Sequence, residues 1–324
     1  MRKLVLKNHQ SPGDVCMLAY AVKCLHESHP GDFLTDFHGT AREIFDYSPY
    51  VTELDEDDAD VTVIEPEYPL IHRSNEYPYH FIHGFVHDLE ARLGIRIGLS
   101  KFQGFISIGE EEKRWHSAVR ETRGDDPPYW IINAGHKWDF TAKQWEFARF
   151  QQIVDRFPDL VFVQVGQADH CHPRLEGDNV IHLVGKTDTR QLIRLVYNSF
   201  GVITPVSLPM HLAYGVPAHP RFGRCSRACV VLSGGREPSH WQFGPNLQFL
   251  HTCGMLPCCD NGGCWKSRVV PLGDADEKDR SLCLYPTKTQ SGQVIARCMD
   301  MISADEVCRK VEMYHACLDG SAAG

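Results

Sequence analysis

No part of the chain approaches the roughly 20 consecutive apolar residues that a membrane-spanning helix needs. The opening MRKLVLKNHQ has basic residues and a brief apolar run, but Lys7, His9 and Asp14 interrupt it before a signal-peptide core can form. Basic excess is missing too. Lys and Arg total 33 against 42 Asp and Glu, a formal charge of −9, which excludes the broad basic face of a nucleic-acid protein and leaves room only for a local basic pocket. The expected compartment is therefore the cytoplasm. Thiols stay reduced there, so the 13 cysteines read as metal ligands or ordinary packing before they read as disulfides.

What is present is alternation. With 324 residues, 43% of them hydrophobic, the chain can bury a sizeable core and reads as two domains rather than one. Strand patterns at 2–7, 33–37 and 60–65 alternate with helical ones at 15–25, 40–47 and 79–93, and the acidic run 53–60 reads as a solvated turn. Residues 110–128 are polar and end in Gly124-Asp125-Asp126-Pro127-Pro128, the clearest linker. Beyond it come strands at 129–133, 160–165, 180–183, 201–204 and 228–232, with helices at 143–157, 189–200 and 208–214. The expected fold is α/β, with parallel sheets covered on both faces and two halves, 1–126 and 127–324, flanking a cleft.

The stretch from Tyr129 to Val154 carries the strongest local signal. It reads as a strand, a loop at Gly135 and a helix opening at Thr141, with Lys143 in the first turn: a cradle for phosphate, or an ordinary βα unit with a solvated lysine. Asp14 lies just past the end of the first strand, where open α/β sheets place ligands. Its carboxylate reads either as a base for an attacking hydroxyl or as a helix cap. At 202–213 a second strand, loop and helix junction puts Ser207 at the cap, its hydroxyl able to face a phosphate. His211 on the next turn reads as a packed core residue or a catalyst. Ser233-Gly234-Gly235-Arg236-Glu237-Pro238 adds a glycine turn whose carboxylate could accept bonds from a ribose diol.

In that order, Ser11-Pro12-Gly13-Asp14-Val15, Thr141-Ala142-Lys143-Gln144-Trp145, Val163-Gln164-Val165-Gly166 and Thr204-Pro205-Val206-Ser207-Leu208-Pro209-Met210-His211-Leu212-Ala213 resemble motifs of the family 9 glycosyltransferases. That family contains the ADP-heptose:lipopolysaccharide heptosyltransferases, and the likeness runs from the first strand to about Trp241. It implies a GT-B fold, two Rossmann-like domains facing a cleft, the second holding the nucleotide sugar. Asp14 then matches the aspartate proposed as general base, and Lys143 the lysine that meets the diphosphate. Ser207, Met210 and His211 fall in the loop and helix that meet diphosphate and sugar. Thr141 and Gly166 lie within the matched motifs, and Glu237 is a looser match for a ribose contact. One departure touches the sugar: Val206 stands where the lipopolysaccharide enzymes carry an aspartate.

Beyond Trp241 lies a cysteine-rich segment, 251–300. Cys258, Cys259 and Cys264 on a glycine turn, followed by Cys283 and Cys298, resemble a four-thiolate knuckle for zinc or iron, using Cys264, Cys283, Cys298 and one of Cys258 or Cys259. The alternative is a set of reduced, buried cysteines. Asp169-His170-Cys171-His172 is a weaker metal pattern, and Cys225 and Cys229 flank what reads as a surface loop. The segment is loosely similar to the metal finger of autotransporter-adhesin heptosyltransferases, enzymes that assemble into rings, which allows a homo-oligomer here. A terminal helix, 304–318, is expected to cross back onto the first domain, as such helices often do in GT-B proteins.

The expected function is inverting transfer of a heptose from a nucleotide-activated donor, ADP-heptose first, to a saccharide or protein hydroxyl. The chemistry needs no cofactor beyond a structural zinc or iron, and no nucleic acid. Two rivals remain: another GT-B nucleotide-sugar enzyme such as an epimerase, marked by acceptor-independent interconversion of the donor, and a non-catalytic metal-stapled binding protein.

Overall fold

Strand β1 (Arg2–Asn8) runs into a turn at which the Asp14 carboxylate accepts the Ser11 N–H (3.1 Å), half of a capping box at the start of α1 (Pro12–Ser28). Pro12, lacking an N–H, suits the first helical position. The helix is apolar nearly all round because it is covered on several sides. In a computed structural model describing residues 1–73, 75–77, 79–223 and 226–316, β1 is the middle strand of a three-stranded parallel sheet with β2 (Phe33–Gly39) and β3 (Val61–Ile64). Helix α2 (Ile82–Leu93) lies beside α1, and short helices α3 (Glu110–Arg114) and α4 (Ala118–Arg123) lead onward.

A second sheet opens with β4 (Tyr129–Ile132), α5 (Phe147–Arg156), β5 (Val161–Gln164) and β6 (Val180–His182). It continues with α6 (Thr189–Asn198), β7 (Gly201–Pro205), α7 (Leu208–Gly215), β8 (Ala228–Gly234), the short α8 (Ser239–Gln242) and β9 (Leu247–His251). All six strands are parallel, in the order β6-β5-β4-β7-β8-β9. The chain reverses its direction of travel between β4 and β7, and ligands bind in the crevice beyond the strand ends at such a switch point. The hairpin β10 (Pro286–Lys288) and β11 (Val294–Ala296), then α9 (Arg297–Asp300) and α10 (Ala304–Ala316), complete the chain.

One apolar cluster joins the two sheets, running from Leu4 and Leu18 to Met210, Val202 and Val231, because α1 packs directly on α7. A second fills the far face of the larger sheet, where Trp130, Phe150 and Phe200 meet Ile295, Met299 and Val307. No described helix is long and apolar enough to cross a bilayer.

Several expectations shift. The helix expected at 40–47 shrinks to a 3₁₀ turn, Arg42–Phe45, entered through Ala41 at φ 53°. The linker 110–128 is partly helical, and its Glu112 is buried against Arg190 of α6. The terminal helix packs on α5 and β8 of the larger sheet, its side chains closing the second cluster, with residues 317–318 of the expected span outside the described set. Cys229 is not on a surface loop; it is fully buried in β8, whereas Cys225 lies outside the described residues. Strand β9 and the hairpin went unread because their short apolar runs lie among cysteines and prolines.

Arg227, 2% exposed, anchors the α6–β8 region by donating to the carbonyls of Tyr197, Ser199, Ala213, Val216 and Pro217. Arg227→Met should leave these carbonyls unpaired in the interior and lower unfolding free energy by about 3 kcal/mol or more in urea titration.

Candidate functional site

The contact between α1 and α7 sets the site. A Cβ on Gly13 would lie 2.8 Å from His211 Cδ2, so only glycine lets the two helices approach this closely. His211 is buried, its Nδ1 2.6 Å from the Tyr214 hydroxyl. Burial, helped by the charge on Lys143 and by His80, pulls it down to about 3, so it stays neutral at physiological pH. Next to Gly13, burial pushes the Asp14 carboxyl up to about 6, against the opposing pull of Lys143 and the Ser11 N–H. The Tyr68 hydroxyl donates to the Asp14 carbonyl at 3.2 Å.

Lys143 approaches from the second sheet. Its Nζ is 2.7 Å from Glu237 Oε1 and 3.3 Å from the Val206 carbonyl at the end of β7. Burial, then the neighbouring Arg236, hold this ammonium well below the usual lysine range, while Asp14 pulls it back up. Glu237 is buried and fully engaged: Oε1 also accepts from Arg236 Nη1, and Oε2 accepts from Gln242 Nε2. As the chain stands, its carboxylate is not free for a ribose.

Asp14, Lys143, His211 and Glu237 are thus gathered where α1, β7 and α7 meet, and Ser207 caps α7 nearby. The Ser207 hydroxyl is 2.8 Å from the Thr204 hydroxyl and accepts from Asn133 Nδ2 at 3.1 Å. Met210 is fully buried in the core, its N–H bonded to the Ser207 carbonyl. The helix expected to open at Thr141 does not. Residues Trp138–Lys143 form a 3₁₀ turn broken at Phe140 (φ −133°, ψ 49°), and α5 begins only at Phe147. Tertiary bonds override the local pattern: the Thr141 hydroxyl accepts the Val269 N–H at 3.0 Å, and Ala142 N–H goes to the Ser267 carbonyl. Thr141 therefore props Lys143, and the helix end that faces the site is that of α7.

Gly166 lies apart, at the end of β5. The His172 ring is wedged against it and Gly135, where added Cβ atoms would come within 2.1 Å of the imidazole, and neither ring nitrogen has a partner. Burial pulls His172 down to about 4. Sequence reading passed over Arg236 and Tyr68. Arg236 was visible in the Gly234-Gly235-Arg236-Glu237 turn; Tyr68 lies in a loop with no pattern to mark it.

Four thiols, Cys258, Cys264, Cys283 and Cys298, share the wall of a cavity of about 10 Å³ with Arg236. Cys259 is turned aside, its thiol bonded to the carbonyls of Thr252 and Leu256. Burial pushes Cys258 up to about 12 and Cys298 up to about 11. The residue types suit a soft cation, yet no group of three or more His, Cys, Asp or Glu side chains among the described residues converges into a ligand set. The expected knuckle is not preformed, nor is one at Asp169-His170-Cys171-His172.

No protein-family model and no curated protein matches the sequence. Solved structures do match the fold. A glycosyltransferase family 9 protein of Veillonella parvula is 15% identical, with 97% of each chain covered and a TM-score of 0.64. The ADP-heptose lipopolysaccharide heptosyltransferase II of Escherichia coli is 14% identical (97% of this chain, 98% of that one, TM-score 0.59). The iron-containing dodecameric glycosyltransferase TibC of enterotoxigenic E. coli is 15% identical (98% and 77%, TM-score 0.59). The mixed α/β fold with parallel sheets is shared across nearly the whole chain.

A carboxyl raised by burial binds its proton more tightly in the folded than in the unfolded state. Folding stability contributed by Asp14 is then greatest below its unfolded value of 3.8 and falls as pH rises toward about 6. Asp14→Asn should exceed wild-type stability at pH 7.5 by on the order of 2 kcal/mol, converging on it near pH 4, when denaturant midpoints are compared.

Proposed function

We propose that this chain is a glycosyltransferase of GT-B architecture, with Rossmann-like domains at 1–126 and 127–324. It moves a sugar of the ADP-heptose class, with inversion, from its nucleotide to a saccharide or protein hydroxyl. The observation that carries this reading is the placement of a carboxylate at the start of α1, Asp14, and a largely buried ammonium paired with Glu237, Lys143, at the switch point of the larger sheet, each influencing the other's proton affinity. Whole-length fold likeness to structures described as glycosyltransferases supports it.

Asp14 takes the acceptor proton as the oxygen attacks the anomeric carbon. The bond from that carbon to the diphosphate oxygen breaks, and its electron pair leaves with the nucleoside diphosphate. Lys143 and the N-terminus of α7 receive the new charge. For this Lys143 exchanges Glu237 for phosphate, which costs little because Glu237 keeps Arg236 and Gln242. With its raised affinity, Asp14 is well placed as a base near neutrality. Val206 offers no carboxylate to the sugar, so sugar selection falls to other groups.

Cys258, Cys264, Cys283 and Cys298 would hold a zinc or iron ion that closes the 251–300 segment; a neighbouring fold, TibC, is described as iron-containing. Its part is structural, and the transfer step does not pass through it.

Lys143→Ala should reduce ADP release from ADP-heptose, assayed with an acceptor saccharide, by about 10²–10³-fold. In the same assay the rate should fall below about pH 6 in wild type as Asp14 is protonated, and Asp14→Ala should abolish that limb with the activity. If no donor of this class is consumed, the reading fails. Elemental analysis of protein purified without chelator should find close to one zinc or iron per chain, lost in Cys264→Ser; a metal content near zero removes the knuckle.

A further inference from the structure

The turn from Ser233 to Glu237 has two faces. On one, Gly234 and Gly235 lie flush against the cysteine-rich segment: a Cβ on Gly235 would come 2.8 Å from Cys259 Sγ, and one on Gly234 2.5 Å from Met299 Sδ. The carbonyls of Gly235 and Arg236 accept the N–H groups of Cys264 and Trp265, each at 3.1 Å. On the other face, Arg236 donates to the Glu237 carboxylate that also holds Lys143.

Arg236 bridges these faces. Its Nε donates to the Lys266 carbonyl at 2.7 Å, and its guanidinium lies 5.2 Å from the Phe140 ring and 5.8 Å from the Trp265 ring. It is also part of the cavity wall formed by Cys258, Cys264, Cys283 and Cys298. Lys143 and Lys278, the latter from the cysteine-rich segment, approach the same Phe140 ring at 5.8 and 5.3 Å. Carboxylates and backbone hold these three cations in place: Glu237 for Lys143 and Arg236, the Lys266 carbonyl for Arg236, and Asp139 and Asp276 for Lys278.

We infer that Arg236 is a positioning residue through which the cysteine-rich segment sets the donor pocket. It retains Glu237 when Lys143 turns to a diphosphate, and it transmits to that pocket any rearrangement of the four thiols. The inference rests on the donor reading above. A buried carboxylate stripped of one cation needs another, and Arg236 with Gln242 supplies it. The groups acting on Lys143 are Arg236, Glu237, Asp14, Lys137 and Asp139, from both sheets and the 137–143 turn.

ADP serves as probe in calorimetric titrations of Arg236→Gln and Arg236→Lys from pH 7 to 10, with circular dichroism confirming the fold. In wild type, ADP binding should weaken as pH rises and Lys143 loses its proton. Arg236→Gln should bind ADP on the order of tenfold more weakly at pH 7. Its alkaline limb should move to higher pH, because the cation that suppresses Lys143 is gone; Arg236→Lys should keep the limb near its wild-type position. Cys264→Ser should also weaken ADP binding when Arg236 is present and not in Arg236→Gln. Wild-type protein that binds neither ADP nor another nucleoside diphosphate overturns the donor reading and this inference together. If wild type binds while Arg236→Gln shows equal affinity and an unmoved limb, or Cys264→Ser leaves ADP affinity unchanged, the inference alone is overturned.

Discussion

A charged pair held at the seam of two sheets, Lys143 against Glu237, is the constraint on which this site depends. Lys143 keeps 27% of its side chain exposed, and two packing facts hold the rest in place. The 3₁₀ turn that carries it is tied to the Ser267–Val269 loop through Thr141 and Ala142, and the neighbouring α7 is pressed against α1 at Gly13. Holding a charge there is unfavourable by several kcal/mol unless partners recover it. Glu237, the Val206 carbonyl and the field of Asp14 do so. The same enclosure keeps a proton on Asp14 up to about pH 6. Burial raises Asp14 and lowers Lys143 while their mutual attraction opposes both shifts, and titratable groups perturbed in this way recur at functional sites.

How much of this was legible depends on whether local and distant forces agree. Periodicity located β1, β4, α6, β7 and α7 to within about two residues, since each is a buried strand or a helix whose apolar spacing matches its covered faces, whereas α1 extends three residues beyond the expected 15–25 at each end. At residues 141–146 the two conflict. The spacing of Trp145, Phe147 and Phe150 is helical, but Thr141 and Ala142 give their hydrogen bonds to a partner more than 120 residues along the chain, and no window on the sequence contains that partner. Motif order brought Asp14, Lys143, Ser207, His211 and Glu237 to one place. It misjudged what occupies Glu237, because saturation of a carboxylate by Lys143, Arg236 and Gln242 is a property of packing and not of spacing. For Asp14 the cap and the base are not rivals: the bond to Ser11 that starts α1 also aims the carboxylate.

The cysteine-rich segment looks in sequence like an appendage and in structure like a wall. Its backbone receives Thr141, Ala142 and the 235–236 carbonyls, its Gly263 exchanges two hydrogen bonds with Asn75 from the first-sheet side, and its Trp265 packs edge-on against both His72 and Trp241. Its 294–299 stretch is anchored by Ile295, Ala296 and Met299 in the second cluster, but the loop from 252 to 268 has only Leu256, Cys259 and Trp265 to bury. Either closure by a cation or dense backbone bonding must supply the rigidity, and the thiols and the bonds lie side by side.

Val206 gives the last step. Its side chain is buried and apolar where the resembled enzymes place a carboxylate, while its carbonyl is a partner of Lys143. An aspartate at this position would set a third negative charge beside Lys143, next to Asp14 and Glu237, and would offer the ammonium a competitor for diphosphate. With valine there, the local charge stays balanced between Lys143 and Arg236 on one side and Glu237 and Asp14 on the other. The approach of a dianion then tips that balance by drawing Lys143 away from a carboxylate that has two other donors. Under the proposed transfer, a pocket organised in this way would be arranged in advance for the charge that develops on the leaving group, and such prior arrangement is where electrostatic catalysis gains most.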